Sequence, residues 1–132
     1  MTDHPAFAAL GDESFVSLTT FRKSGVAVST PVWIARDGDA LIVTTPQESG
    51  KVKRLRNSGR VELRPCSRMG KVADDAVPVA GVATIHGDAV TRDRLTDVIR
   101  KKYGLEYRVT MIIEAIVAKR TKERVILRIT AA

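Results

Sequence analysis

Between Ser14 and Thr45 the chain alternates sides in short runs, and glycine turns separate the runs. Ser14–Lys23 puts Phe15, Ser17, Thr19 and Phe21 on one face and Val16, Leu18 and Thr20 on the other, the period of a strand. Ser24-Gly25 then signals a turn, and Val26–Arg36, with Val28, Val32 and Ile34, resumes as a strand. Asp37-Gly38 is a hairpin signal, and Ala40–Thr45 is the next strand. Strands joined by two-residue turns must run antiparallel, because a parallel pair needs a long crossover. The pattern predicts an antiparallel meander. Pro31 cannot donate to a ladder, so it marks an edge, a bulge or a break.

Beyond Thr45 the chain changes character. Lys51 to Lys71 holds 8 basic residues against one acid, Glu62, while the whole chain has 22 against 15, leaving 14 against 14 elsewhere. The formal excess of +7 therefore sits in one segment, which points to a local anion site rather than a generally basic protein. Two helix starts compete there. Thr45-Pro46-Gln47-Glu48 has the form of a capping box, and Ser49 can cap a helix beginning at Gly50. The second is favoured, since Gly50 inside the first helix would weaken it by roughly 1 kcal/mol. Val52 and Leu55 then face the core, and Asn57 to Gly59 ends the helix. Lys51 falls in the first turn, where the helix dipole disfavours a cation unless an anion is bound. That conflict is the sharpest functional signal, and its bland counterpart is a solvated cationic face.

The rest of the chain predicts an opening helix over Pro5–Leu10 capped by Asp3, a strand over Val61–Ser67 and a loop over Met69–Ala76. A long strand comes next over Val77–Val90, with Gly81 and Gly87 as candidate bulges or bends. Thr91 can cap a helix over Arg92–Tyr103 that Gly104 stops. Leu105, Val109, Ile112, Ile113, Ile116 and Val117 recur at helical spacing, and Arg124–Thr130 closes the chain as a strand. The expectation is a mainly β single domain over residues 1–132, a six-stranded antiparallel barrel with inserted helices.

Several function classes lose ground on composition. No apolar run reaches the ~18 residues of a membrane span, and the first residues lack the pattern of a secretory signal, which suggests a cytoplasmic protein. Cys66 is the only cysteine, and His4 and His86 stand far apart, so neither an intrachain disulfide nor a metal site is expected. Aromatics are only 5%, too few for a platform that stacks single strands. No Ser/His/Asp or Cys/His constellation suggests a hydrolase.

Four motifs occur in order: S-L-T-T-F-R-x-S-G-x-x-V-S-T-P-V-W, D-G-D-A-L-x-V-T-T, S-G-K-V-K-R-L-R-N and R-V-x-L-x-P-C. Over about residues 10–70 they resemble the pyridoxamine 5′-phosphate oxidase-like split β-barrel proteins, in the branch of deazaflavin-dependent oxidoreductases. The resemblance implies a flavin-reductase-like, FMN-binding-type split barrel and a homodimer with a cofactor in each of two interface clefts. It implies that Ser49, Gly50, Lys51, Val52 and Arg54 hold a cofactor phosphate, with Lys53 and Arg56 facing a polyglutamate tail or solvent. It also implies that Thr30, Pro31, Val32 and Trp33 lie along the deazaflavin ring and that Thr44 and Thr45 line the wall between ring and phosphate. Trp33 has an equal claim as a core or dimer-interface aromatic. The vitamin B6 phosphate-binding signature of the oxidase itself is not evident.

The implied activity is hydride transfer from coenzyme F-420 to a small conjugated acceptor, with no metal and no membrane. The nearest rival is an FMN oxidoreductase of the same fold. A non-catalytic cofactor carrier comes next, and a nucleic-acid module using residues 51–71 comes last.

Overall fold

A computed structural model describes residues 5–118 and 123–132, so Asp3 and His4 lie outside the described residues. Helix α1 (Pro5–Ala9) runs into a single 3-10 turn at Leu10–Asp12, and together they bury Phe7, Leu10 and Gly11. The strands are β1 (Val16–Phe21), β2 (Ala27–Val32), β3 (Ala35–Asp37), β4 (Ala40–Pro46), β5 (Arg60–Pro65), β6 (Val79–His86) and β7 (Arg124–Ala131). Helix α2 (Gly50–Asn57) joins β4 to β5, while α3 (Ala89–Tyr103) and α4 (Leu105–Ala118) lie between β6 and β7.

All seven strands form one antiparallel sheet in the order β2-β1-β5-β6-β7-β4-β3, which curls into a half-barrel. The expected count of six is corrected to seven. Val26–Arg36 is not one strand but two: β2 pairs with β1, and β3 pairs with β4 at the opposite edge. Trp33 and Ile34 carry the chain from one edge to the other. Pro31 sits on the edge strand β2, opposite Ser17, where its missing N–H costs no ladder bond. The meander is therefore two hairpins, turned by Gly25 (φ 90°) and Gly38 (φ 61°), and not one continuous run.

The long strand expected over Val77–Val90 is shorter, because Asp88 caps α3 by accepting a hydrogen bond from the Thr91 N–H at 3.0 Å. The helix thus begins at Ala89 instead of at Arg92. Gly81 is not a bulge: it keeps register between Val61 and Ala131, and a Cβ there would lie 2.8 Å from Ile129 Cγ2. Close packing, not bending, accounts for that glycine.

Alternation on β4 and β7 divides the core in two. Leu41, Val43, Leu127 and Ile129 join Val16, Leu18, Val61 and Leu63 inside the curl, with Val52 and Leu55 of α2 closing it. Ile42 and Ile126 point the other way and meet Leu95 and Ile99 of α3. Strand β4 is buried along almost its whole length for this reason, and β1 is buried throughout as well. Helix α4 differs. Its apolar stripe forms at the expected spacing, yet none of its residues is buried.

A candidate anion-binding cleft

Strand β4 ends at Pro46, and the next turn places Ser49 in an extended conformation as the N-cap of α2. Its hydroxyl accepts hydrogen bonds from the Val52 N–H at 3.5 Å and the Thr45 hydroxyl at 3.1 Å. One turn into the helix, Arg54 folds back and donates from Nε to Thr20 Oγ1 at 2.6 Å. Its guanidinium then lies over Gly50, where a Cβ would sit 2.7 Å from Nη1. Gly50 is needed because Arg54 occupies the space of a side chain.

Lys51 has no hydrogen-bond or ion-pair partner among the described residues. Burial, then the charges of Arg54 and Arg124, hold its ammonium below the ordinary 10.5. It lines a cleft of about 210 Å³ together with Pro31, Val32, Trp33, Thr44 and Thr45. Six of the residues expected at the site thus converge. Thr30, Ser49, Gly50, Val52 and Arg54 do not line the cleft. Ser49, Gly50 and Arg54 shape the helix start beside it, and Val52 points into the main core. Thr30 Oγ1 is buried without a partner among the described residues.

The aromatic side of the cleft is rigid. Trp33 stacks on Tyr103 with ring centroids 4.7 Å apart and meets Tyr107 at 6.0 Å. Tyr103 is itself tied down, donating to Ser14 O at 2.8 Å and accepting from the Ile34 N–H at 2.9 Å. Burial pushes its phenol above the ordinary 10.0, offset in part by the Ile34 N–H, and Glu106 adds to the rise. Lys102 donates to the carbonyls of Gly11, Glu13 and Ile34 and so pins the end of α3 to the crossing between β2 and β3. Trp33 is both a packed aromatic and a cleft wall.

The sequence reading missed Phe15, Pro46, Thr110, Met111, Glu114 and Arg124. Arg124 opens β7 and donates from Nε to Thr44 Oγ1 at 3.1 Å and from Nη2 to Thr44 O at 3.2 Å. Its Nη1 meets both oxygens of Glu114, at 2.6 and 2.7 Å. Only the β4–β7 ladder brings Arg124 to Thr44, and no local pattern signals that. Glu114 did leave a signal: it is the single charge between Val109 and Ala118.

A cation unpaired among the described residues, with two more beside it and facing an apolar aromatic wall, fits a ligand that joins an anionic group to a flat ring. No group of metal-ligating side chains occurs among the described residues. The sequence itself matches the family model described as pyridoxamine 5′-phosphate oxidase across residues 3–132. The chain belongs to that family. No curated protein matches it. Among solved structures it is similar to a conserved hypothetical protein of Mycobacterium tuberculosis, at 23% identity over 99% of this chain and 81% of that one, with a TM-score of 0.69. It is also similar to an F-420 reductase, at 16% identity over 98% and 96% of the two chains, TM-score 0.63. A heme storage protein of Vibrio cholerae shares the fold as well, at 13% identity over 100% and 92%, TM-score 0.63. At these identities the likenesses show the fold. The family is one of flavin-binding oxidoreductase folds, and no described helix is long and apolar enough to cross a membrane.

Proposed function

We propose that this protein is an oxidoreductase that binds the deazaflavin coenzyme F-420 through its phosphate and reduces a small conjugated acceptor. The observation that carries this reading is Lys51, a partly buried cation without a partner among the described residues, flanked by Arg54 and Arg124 at an aromatic cleft. The phosphate would lie against Lys51 and Arg54, at the α2 start that Ser49 caps. Pro31, Val32 and Trp33 would face the ring, with Thr44 and Thr45 between ring and phosphate. When bound and reduced, such a cofactor supplies the hydride. The protein's own part is to bind, to orient against Trp33 and to exclude water. The similarity to an F-420 reductase favours the deazaflavin over FMN, which would use the same phosphate site. The similarity to a heme storage protein keeps a non-catalytic carrier as the second reading.

Two chains complete the proposal. The cleft is smaller than the ~300 Å³ at which ligand pockets usually begin, and α4, whose apolar stripe is bare, lines it with Thr110, Met111 and Glu114. A homodimer would cover that stripe and supply the missing wall.

Trp33 is the only tryptophan, so its fluorescence reports on the cleft. Titration with oxidised coenzyme F-420 should quench it with saturation at one ligand per chain. Lys51→Ala should weaken that affinity at least tenfold, and FMN should bind less well. A preference for FMN would move the protein to the flavin reading with the anion site intact. Binding of neither, checked by calorimetry, would overturn the cofactor reading. Steady turnover with an added acceptor separates an enzyme from a carrier.

A further inference from the structure

Arg124 and Thr44 are shared by two clefts. One is the cleft of Lys51, and the other, about 220 Å³, is also lined by Arg92, Asp93, Thr96, Tyr107 and Glu123, the two carboxylates being paired with Arg92. Arg124, common to both, is held by Glu114 of the first cleft, and the two side chains are 18% and 22% exposed. Each cleft alone is below the usual size of a ligand pocket, but joined they exceed it.

We propose that Glu114 is the resident counter-ion of this site, and that a phosphate-class ligand displaces it from Arg124, opening the bridge and joining the two clefts into one groove along α4. The inference rests on the anion-site reading of Lys51.

Three observations support it. First, Glu114 is the only carboxylate lining the Lys51 cleft among the described residues, so an anion arriving there meets a like charge. Second, Arg124 cannot simply lose its partner, since breaking a partly buried pair leaves an uncompensated charge. Exchanging carboxylate for phosphate keeps Arg124 neutralised and preserves its two bonds to Thr44. Third, within the single chain α4 buries no residue, so the chain's own packing resists its movement little. Gly104, at φ 56°, joins α4 to α3 and provides a pivot that other residues adopt at a cost. Among the described residues, further holds on α4 include the Arg68–Glu106 pair, the packing of Tyr107 against the cluster of Leu95 and Ile99, and its tilted contact with Trp33.

The test uses inorganic phosphate and FMN as probes on the full chain, with wild type, Glu114→Gln and Lys51→Ala. Calorimetry should show Glu114→Gln binding both probes at least tenfold more tightly than wild type, and Lys51→Ala binding them more weakly. Hydrogen exchange across Leu105–Ala118 should speed up when phosphate is added to wild type. Equal or weaker binding by Glu114→Gln, with Lys51→Ala still defective, would overturn the exchange and leave the anion site standing. No binding by either wild type or Glu114→Gln would overturn both. If Glu114→Gln does not fold, wild-type exchange decides: unchanged or slowed exchange in α4 refutes the opening.

Discussion

Helices α2 and α4 make opposite use of their apolar residues. Helix α2 is polar, with five of its eight residues charged or amide-bearing, yet Val52 and Leu55 sit in the main core. Helix α4 is apolar, and its stripe stands open, with Leu105, Ile116 and Val117 exposed to 75, 69 and 77%. Periodicity announces that a helix has an apolar face but does not say what covers it. Two well-seated residues hold α2 rigidly enough to present Lys51 at a fixed place. The six residues of the α4 stripe leave that helix free to move, or to meet another surface.

The largest break in the comparison comes from Leu55→Ala. It should cost about 2–5 kcal/mol, the range for truncating a core leucine, and denaturant unfolding measures it. A cost near zero would mean that α2 is not anchored as described. The anion site gives a smaller effect, with a defined sign in pH. Burial and the charges of Arg54 and Arg124 place the folded pKa of Lys51 below its unfolded 10.5. The folded chain therefore loses this proton first, and stability contributed by the group rises with pH between those two values. A bound anion favours the charged form and reverses the sign. Affinity for phosphate should be full below the lowered Lys51 pKa of the free chain and fall as pH rises from there towards the higher pKa of the complex. A flat affinity up to pH 10 in wild type would remove Lys51 from the site.

Gly50→Ala sharpens the contrast further. The methyl group would displace the Arg54 guanidinium from above Gly50 and strain its bond to Thr20. Alanine raises helix propensity by about 1 kcal/mol, so stability should hold or rise while ligand affinity falls severalfold. Titration and melting on the same variant separate the two. The smallest effect belongs to Ile112→Ala on α4, within about 0.5 kcal/mol for an uncovered surface residue. Melting over a series of protein concentrations measures it. A larger loss that grows with protein concentration would show the stripe buried between copies.

Much of the fold was legible because it is local. Period-two alternation identified β1, the Asp37-Gly38 turn announced β4, Gly25 and Gly38 marked the hairpins, and Ser49-Gly50 marked the start of α2. The Thr91 cap failed because Asp88, three residues earlier, offers a carboxylate to the same N–H. The candidate cleft was half legible. Lys51 stood out through its misfit with the helix dipole, and the resemblance pointed to Trp33, Thr44 and Thr45, which line the same cleft.

The sequence by itself determined the strands, their turns, the capped helix and the concentration of charge, because each depends on residues within a few positions of one another. Tertiary structure alone decided that Val26–Arg36 splits across the two edges of a seven-stranded sheet. It alone brought Arg124 to Thr44, 80 residues away, and set Glu114 against it. The physical reason is that ladder partners are chosen by long-range burial of whole faces. A side chain's partner across such a ladder leaves no mark in its own neighbourhood.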